Sequence, residues 1–154
     1  HKVIGGNFRM DPIQACVLRI KLQCLEAWHE QRRQNAAQYN QLLGEAQLEE
    51  VVCPAAVYQD ENLLNHHIYN QYTVRVQRRE ELREFLQERG IATEIYYPVP
   101  FHRQGCFADL GYRPGSLPES DRASREVLAL PIYPGLTTEM QEYVVENVTE
   151  FYRS

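Results

Sequence analysis

The feature that most constrains this chain is a single helical pattern running from Asp11 to Gly44. Asp11 followed by Pro12 reads as a helix start: Asp is a preferred cap, and Pro fits the first helical position, where the N–H would lack an intrahelical partner anyway. Apolar residues then recur at Ile13, Val17, Ile20, Cys24 and Trp28, with a second stripe through Leu18, Leu22 and Leu25. Both stripes follow the 3.6-residue period. The pattern thins over the polar residues 29–34 and resumes with Ala36, Tyr39, Leu42 and Leu43, and Gly44 is the expected stop. A helix of about 33 residues would be roughly 50 Å long. A compact body made from 154 residues has a diameter of roughly 40 Å. The helix would outreach the body it belongs to. Its first half is also apolar on two sides, which asks for packing partners on both. A kink would reconcile the length, whereas an absent domain or a second subunit accounts for both facts together.

Behind this helix the pattern alternates. Residues 71–76 (Q-Y-T-V-R-V) have the period of two expected of a strand. Residues 80–89 predict a helix with Leu82, Phe85 and Leu86 on its inner face, closed by Gly90. Residues 91–97 predict a second strand, and a strand, helix and strand joined by short links predict a right-handed crossover. Residues 51–57 offer a weak extra strand interrupted by Pro54. Residues 98–118 are rich in Pro and Gly and read as an ordered loop, followed by a helix over 119–126 and a short buried strand over 127–131. Thr138-x-x-Gln141 fits a capping box for a last helix that buries Met140, Val144, Val148 and Phe151. The Arg78-Arg79-Glu80-Glu81 run reads as a solvated helix start. The expected fold is α+β: a two-layer sandwich of a small sheet with helices, preceded by a long N-terminal helix. Residues 1–44 form the arm and helix, and residues 45–154 the α+β domain.

Composition narrows the partners. The chain is 44% hydrophobic, enough for a core, and carries a formal net charge of −5. That balance argues against nucleic acid, which calls for a basic face. No apolar run approaches a membrane span, and residues 1–10 are polar and Gly-rich, unlike a signal peptide. Cys16, Cys24, Cys53 and Cys106 form no C-x-x-C pair, so a zinc or redox motif is not expected. Buried free thiols in a reducing cytoplasm are. His66 and His67, as sequence neighbours, would point to opposite faces and make a poor metal pair.

Six short landmarks then occur in order: G-G-N-F-R-M-D-P-I-Q-A at 5–15, H-I-Y-N-Q-Y-T-V-R-V at 67–76, E-R-G-I at 88–91, Y-Y-P-V-P-F-H at 96–102, C-F-A-D-L-G-Y at 106–112 and L-A-L-P-I-Y-P at 128–134. In this order the chain resembles the C-terminal portion of the DegT/DnrJ/StrS family of sugar aminotransferases, and the resemblance covers nearly all of it. It implies the small domain of an aspartate-aminotransferase-like fold working as a dimer. The cofactor it implies is pyridoxal phosphate, held as a Schiff base by a lysine of the large domain. The implied reaction moves an amino group, from glutamate, to a keto sugar linked to a nucleotide diphosphate. The only lysines here are Lys2 and Lys21, and neither matches the place of that residue. The chain alone is therefore expected to bind no cofactor and to be inactive. Its partners would be a second copy of itself or a missing N-terminal large domain.

The resemblance also implies site residues. Asn7 matches an asparagine that reaches the cofactor phosphate of the neighbouring subunit, a task that suits an amide donor. Read from its surroundings alone, Asn7 is a turn residue in a Gly-rich loop. Tyr96, Tyr97 and His102 match a segment bordering the substrate pocket. Pro98 and Pro100 would fix an extended path and hold His102 away from the strand. Phenols and an imidazole suit a nucleotide-linked sugar, whose hydroxyls and phosphates need both donors and acceptors. Read without the resemblance, Tyr97 is a core residue at a strand end and His102 an exposed loop histidine. His67 and Tyr69 match an H-x-Y of the family, which often has a second histidine where this chain has Asn70. Two non-catalytic readings stand beside the enzyme: a free-standing oligomerising or partner-binding module, and a nucleotide-sugar binder.

Overall fold

The computed structural model of the protein describes residues 2, 5–6, 9–61 and 63–154. The first helix, α1, spans Pro12–Leu22. Asp11 caps it as expected: its Oδ1 accepts from the Ile13 N–H at 2.7 Å, and the Gln14 side chain accepts from the Asp11 N–H at 3.4 Å. The expected single helix then breaks. The N–H groups of Gln23 and Cys24 turn to the carbonyls of Ile20 and Lys21, at 3.3 and 3.0 Å, in tighter i→i−3 bonds. Helix α2 restarts at Leu25 and runs to Ala46. It passes through Gly44 and ends instead at Gln47, which takes the left-handed conformation (φ 52°, ψ 44°). Neither Gly nor Pro marks the break, so no residue type announced it.

The two helices differ in what they touch. α1 buries no residue, whereas α2 sinks Ala36, Tyr39 and Leu43 into the core. Polar contacts fix α2 further. Arg32 Nη1 donates to the carbonyls of Tyr69 (3.2 Å) and Ile132 (2.9 Å), and Asn35 Nδ2 donates to the Tyr133 carbonyl at 2.8 Å. Tyr39 Oη donates to the Pro131 carbonyl at 3.0 Å.

The sheet has the order β1-β2-β3, antiparallel throughout. β1 is only Val51–Val52, stopping short of Pro54; β2 is Tyr72–Val76 and β3 is Val127–Leu130. Tyr72 faces Leu130 and Val74 faces Leu128. Tyr72, Val74 and Val76 alternate inward along β2, as the period of two demanded. The strand expected over 91–97 is reduced to one rung, Glu94 against Ala129. The next rung would place Ala92 opposite Pro131, which has no N–H to donate, so the ladder cannot continue that way. Ile91 and Ile95 are buried all the same. Because β2 and Glu94 both run antiparallel to β3, they run parallel to each other, with β3 between them and α3 (Arg79–Glu88) connecting them.

Three helices pack with this sheet. α3 contributes Leu82 and Leu86, both fully buried. α4 (Pro118–Glu126) leads into β3. α5 (Thr138–Arg153) lies on α2 and α3 and buries Val144, Val145, Val148 and Phe151. The α+β fold is the expected one. Its details correct three readings. The cap of α5 is Thr137, whose hydroxyl accepts from the Met140 N–H at 3.3 Å. Gln141 instead reaches across to donate to the Asn35 carbonyl at 2.7 Å. Met140 is 49% exposed, on the outer face of α5. Arg79 is not solvated either: its side chain is 11% exposed and donates to the Ser124 carbonyl, tying α3 to α4.

The cysteines are also not the buried thiols expected: Cys16 and Cys24 are exposed, and Cys53 and Cys106 are half-buried. No helix is long and apolar enough to cross a membrane among the described residues.

Candidate functional site

The segment between the Glu94 rung and α4 carries most of the candidate side chains. Tyr96 and Tyr97 leave the sheet exposed, not packed in the core, with rings edge to face at 5.7 Å. Tyr97 meets Phe101 (6.3 Å) and Phe101 meets Phe107 (6.3 Å), so a row of aromatic rings lines the surface. Pro100 holds the expected extended conformation (φ −59°, ψ 147°), and a 3-10 turn, Phe101–Arg103, follows it. A second 3-10 helix covers Gly105–Leu110.

That first turn aims His102 inward. Its side chain is 5% exposed, which overturns the exposed-loop reading. Its ring stands edge to face with Tyr112 at 5.8 Å. Nε2 lies 3.4 Å from Oδ1 of Asp121, a residue of α4 whose side chain is 8% exposed. The other carboxylate oxygen accepts from the Gly115 N–H at 3.2 Å, and Arg103 Nη1 approaches Oδ1 at 3.8 Å. Asp121 escaped sequence reasoning. It lies in a short charged helix, P-E-S-D-R-A-S-R-E, where a carboxylate reads as solvated, and only the fold of the preceding loop brings His102 to it.

The candidate residues do not all share one space. Tyr96 borders a cavity of about 290 Å³ with Asn70, Gln71, Thr93 and Glu94. His102 borders another of about 340 Å³ with Phe101, Phe107, Tyr112, Leu117 and Ser120. The aromatic row runs between them. Asn7 lies outside the described residues.

The H-x-Y pair is placed more firmly. His67 stacks on Tyr69 at 4.0 Å, and its Nδ1 accepts from the Tyr69 N–H at 2.9 Å. Burial, then the neighbouring His66, holds the His67 imidazole below its ordinary value. The Tyr69 backbone is left-handed (φ 45°), and its carbonyl accepts from Arg32. These residues secure the chain where it enters β2. Among the described residues no group of three or more potential ligands could hold a metal ion.

Between them the two cavities offer phenols, an imidazole and the Ser120 hydroxyl, donors and acceptors suited to hydroxyls or phosphates. They supply no amine. Lys21 is exposed in the last turn of α1, and Lys2 is exposed in irregular chain. No lysine lines either cavity, so the described residues there do not fit the covalent anchor of an aldehyde cofactor.

The sequence profile of the DegT/DnrJ/EryC1/StrS aminotransferase family matches residues 1–149. The chain belongs to this family. It is 48% identical over 153 residues to the pleiotropic regulatory protein of Geobacillus stearothermophilus, a match covering 99% of this chain and 40% of that one. It is 38% identical to the dTDP-3-amino-3,4,6-trideoxy-alpha-D-glucose transaminase of Streptomyces venezuelae, covering 98% of this chain and 38% of that one. Among solved structures, S. venezuelae DesV in complex with a ketimine intermediate superposes with a TM-score of 0.82 at 38% identity, covering all of this chain and 40% of that one. A family aminotransferase from Brucella abortus gives a TM-score of 0.80 at 32% identity, covering 95% of this chain and 37% of that one. The chain thus spans about 40% of the length of the relatives it matches, the C-terminal portion that the landmarks implied.

Proposed function

We propose that this chain is the C-terminal domain of a pyridoxal-phosphate-dependent nucleotide-sugar aminotransferase. In the full-length enzyme an amino group passes from glutamate to a keto sugar carried on a nucleotide diphosphate. The cofactor, when bound, supplies the electron sink for that transfer. This chain supplies a binding wall. The Tyr96 and Tyr97 phenols and the His102 imidazole meet the hydroxyls and phosphates of the sugar nucleotide, the rings of Tyr97 and Phe101 exclude water from one side, and Asn7 donates to the cofactor phosphate of a neighbouring subunit. The segment of residues 1–44 acts as an arm and connecting helix, and residues 45–154 as the α+β unit. The observation that carries this reading is the conjunction of six landmarks in family order with a site rich in hydroxyl partners and without a placed amine.

The 154-residue chain is expected to lack transaminase activity. Incubated with pyridoxal phosphate and then borohydride, it should retain no cofactor by mass. Stoichiometric covalent capture at Lys2 or Lys21 would refute the reading.

A second reading, an assembly module, rests on α1. Ile13, Ile20 and Leu22 are 77%, 70% and 65% exposed. Burying such a side chain is worth about 1.5–3 kcal/mol, so these two stripes favour a partner, whether a large domain or a second copy. Sedimentation at micromolar concentration tests it: association should be lost in a triple variant Ile13→Glu, Ile20→Glu, Leu22→Glu. A monomeric parent chain would argue against self-association.

A further inference from the structure

We infer that Asp121 is a positioning residue for His102, fixing which imidazole nitrogen is offered to the substrate. The inference deepens the proposed role of His102 as a substrate contact and rests on it. The observation is a pair of atoms. Nε2 of His102 and Oδ1 of Asp121 are both closed to solvent, and neither has a hydrogen-bond partner within ordinary geometry. They face each other at 3.4 Å, in side chains that are 5% and 8% exposed. Leaving a buried polar group unpaired is costly, so each atom is the other's natural partner. Bonds of this kind are often long before a ligand is bound and tighten afterwards.

The chemistry then fixes the proton. An ionised carboxylate only accepts. A ring nitrogen presenting its lone pair to Oδ1 would be repelled, so Nε2 carries the hydrogen. In the neutral ring, Nδ1 is left with the lone pair. Two further donors flank the carboxylate: its Oδ2 accepts the Gly115 N–H at 3.2 Å, and Arg103 Nη1 lies 3.8 Å from Oδ1. The ring itself is clamped against Tyr112 and borders the cavity of about 340 Å³. His102 thereby becomes an oriented acceptor for a sugar hydroxyl. A histidine free to present either nitrogen would discriminate poorly between a hydroxyl and a carbonyl.

The test is nitrogen NMR of the chain labelled with ¹⁵N-histidine, at a pH where the ring is neutral, with His102 identified by its proximity to the Tyr112 ring. The expected spectrum has a protonated-type Nε2 and a bare-type Nδ1. In Asp121→Leu both nitrogens should move to intermediate values as the two tautomers exchange, and Asp121→Glu should restore the original pattern. A protonated Nδ1 in the parent chain, or an unchanged tautomer in Asp121→Leu, would overturn the inference. The parent spectrum decides it even where a variant does not fold. Millimolar dTDP-glucose, added to the same sample, should shift Nδ1 of His102. A correct tautomer with an unresponsive Nδ1 would keep the pairing and remove the substrate contact, so the two readings fail separately.

Discussion

α1 and α2 come from one continuous pattern in the sequence, yet they live in different surroundings. α1 is the more apolar of the two and buries nothing. α2, interrupted by polar residues 29–34, places Tyr39 and Ala36 at zero exposure and is bound through Arg32, Asn35 and Tyr39 to the segment that follows β3. The difference teaches that apolar periodicity reports a need for burial, not where that need is met. For α2 the fold of this chain meets it. For α1 the apolar stripes point away from this core, which is why an 11-residue helix, too short to be stable alone in water, carries so much exposed Ile, Leu and Val.

The sharpest way to break this comparison is truncation on each side of it. Leu82, fully buried in the core, should cost about 2–5 kcal/mol as Leu82→Ala. Ile20→Ala on α1 should change stability by less than about 0.5 kcal/mol. Urea denaturation of both variants as monomers measures the contrast, and comparable losses would show that α1 is held by this core after all.

A smaller effect probes how α2 is tied down. Gln141 is 1% exposed and donates to the Asn35 carbonyl of α2. Gln141→Leu removes this bond while the Asn35 carbonyl keeps its intrahelical partner, and should cost about 0.5–1.5 kcal/mol, with faster amide exchange in α2 than in α3. Uniform acceleration through the whole domain would mean that the bond does not act locally.

The smallest expected effect is electrostatic. Burial holds the His67 imidazole below its ordinary value, so the fold prefers the neutral ring. Its contribution is complete above the unfolded value of about 6.5 and is lost as the pH falls through and below it, where the unfolded chain binds the proton more readily. His67→Gln should flatten the fall in stability between about pH 6.5 and 5 while leaving α1 unaffected. A steeper fall in the variant would reverse the sign of the argument.

Much of the fold was legible because local signals agreed with the global structure. Asp11-Pro12 started a helix, the alternation of Tyr72, Val74 and Val76 made a strand, and Leu82 and Leu86 marked an inner face. What escaped depended on partners distant in sequence. Residues 91–97 have strand composition, but Pro131, just past the partner strand β3, removes the donor for a second rung. Thr138 and Gln141 have the spacing of a capping box, but Thr137 caps the helix and Gln141 turns to α2. At the candidate site the motif Y-Y-P-V-P-F-H located the segment and the family. It could not disclose that His102 would be shut against a carboxylate 19 positions later in the chain. Asp121 has no signature of its own, since an acidic residue in a charged helix is ordinarily wet.

The joint at Gln23 and Cys24 has its own implication. Cys24 offers no side-chain cap to α2, and α1 beyond it is an arm about 17 Å long. A hinge turn of 10° there displaces the tip by about 3 Å over that length, enough to shift a knob of packing by most of a side chain. A body packed on α1 would set the angle of the arm, so one domain of this kind would fit bodies of slightly different shape without altering its own interior.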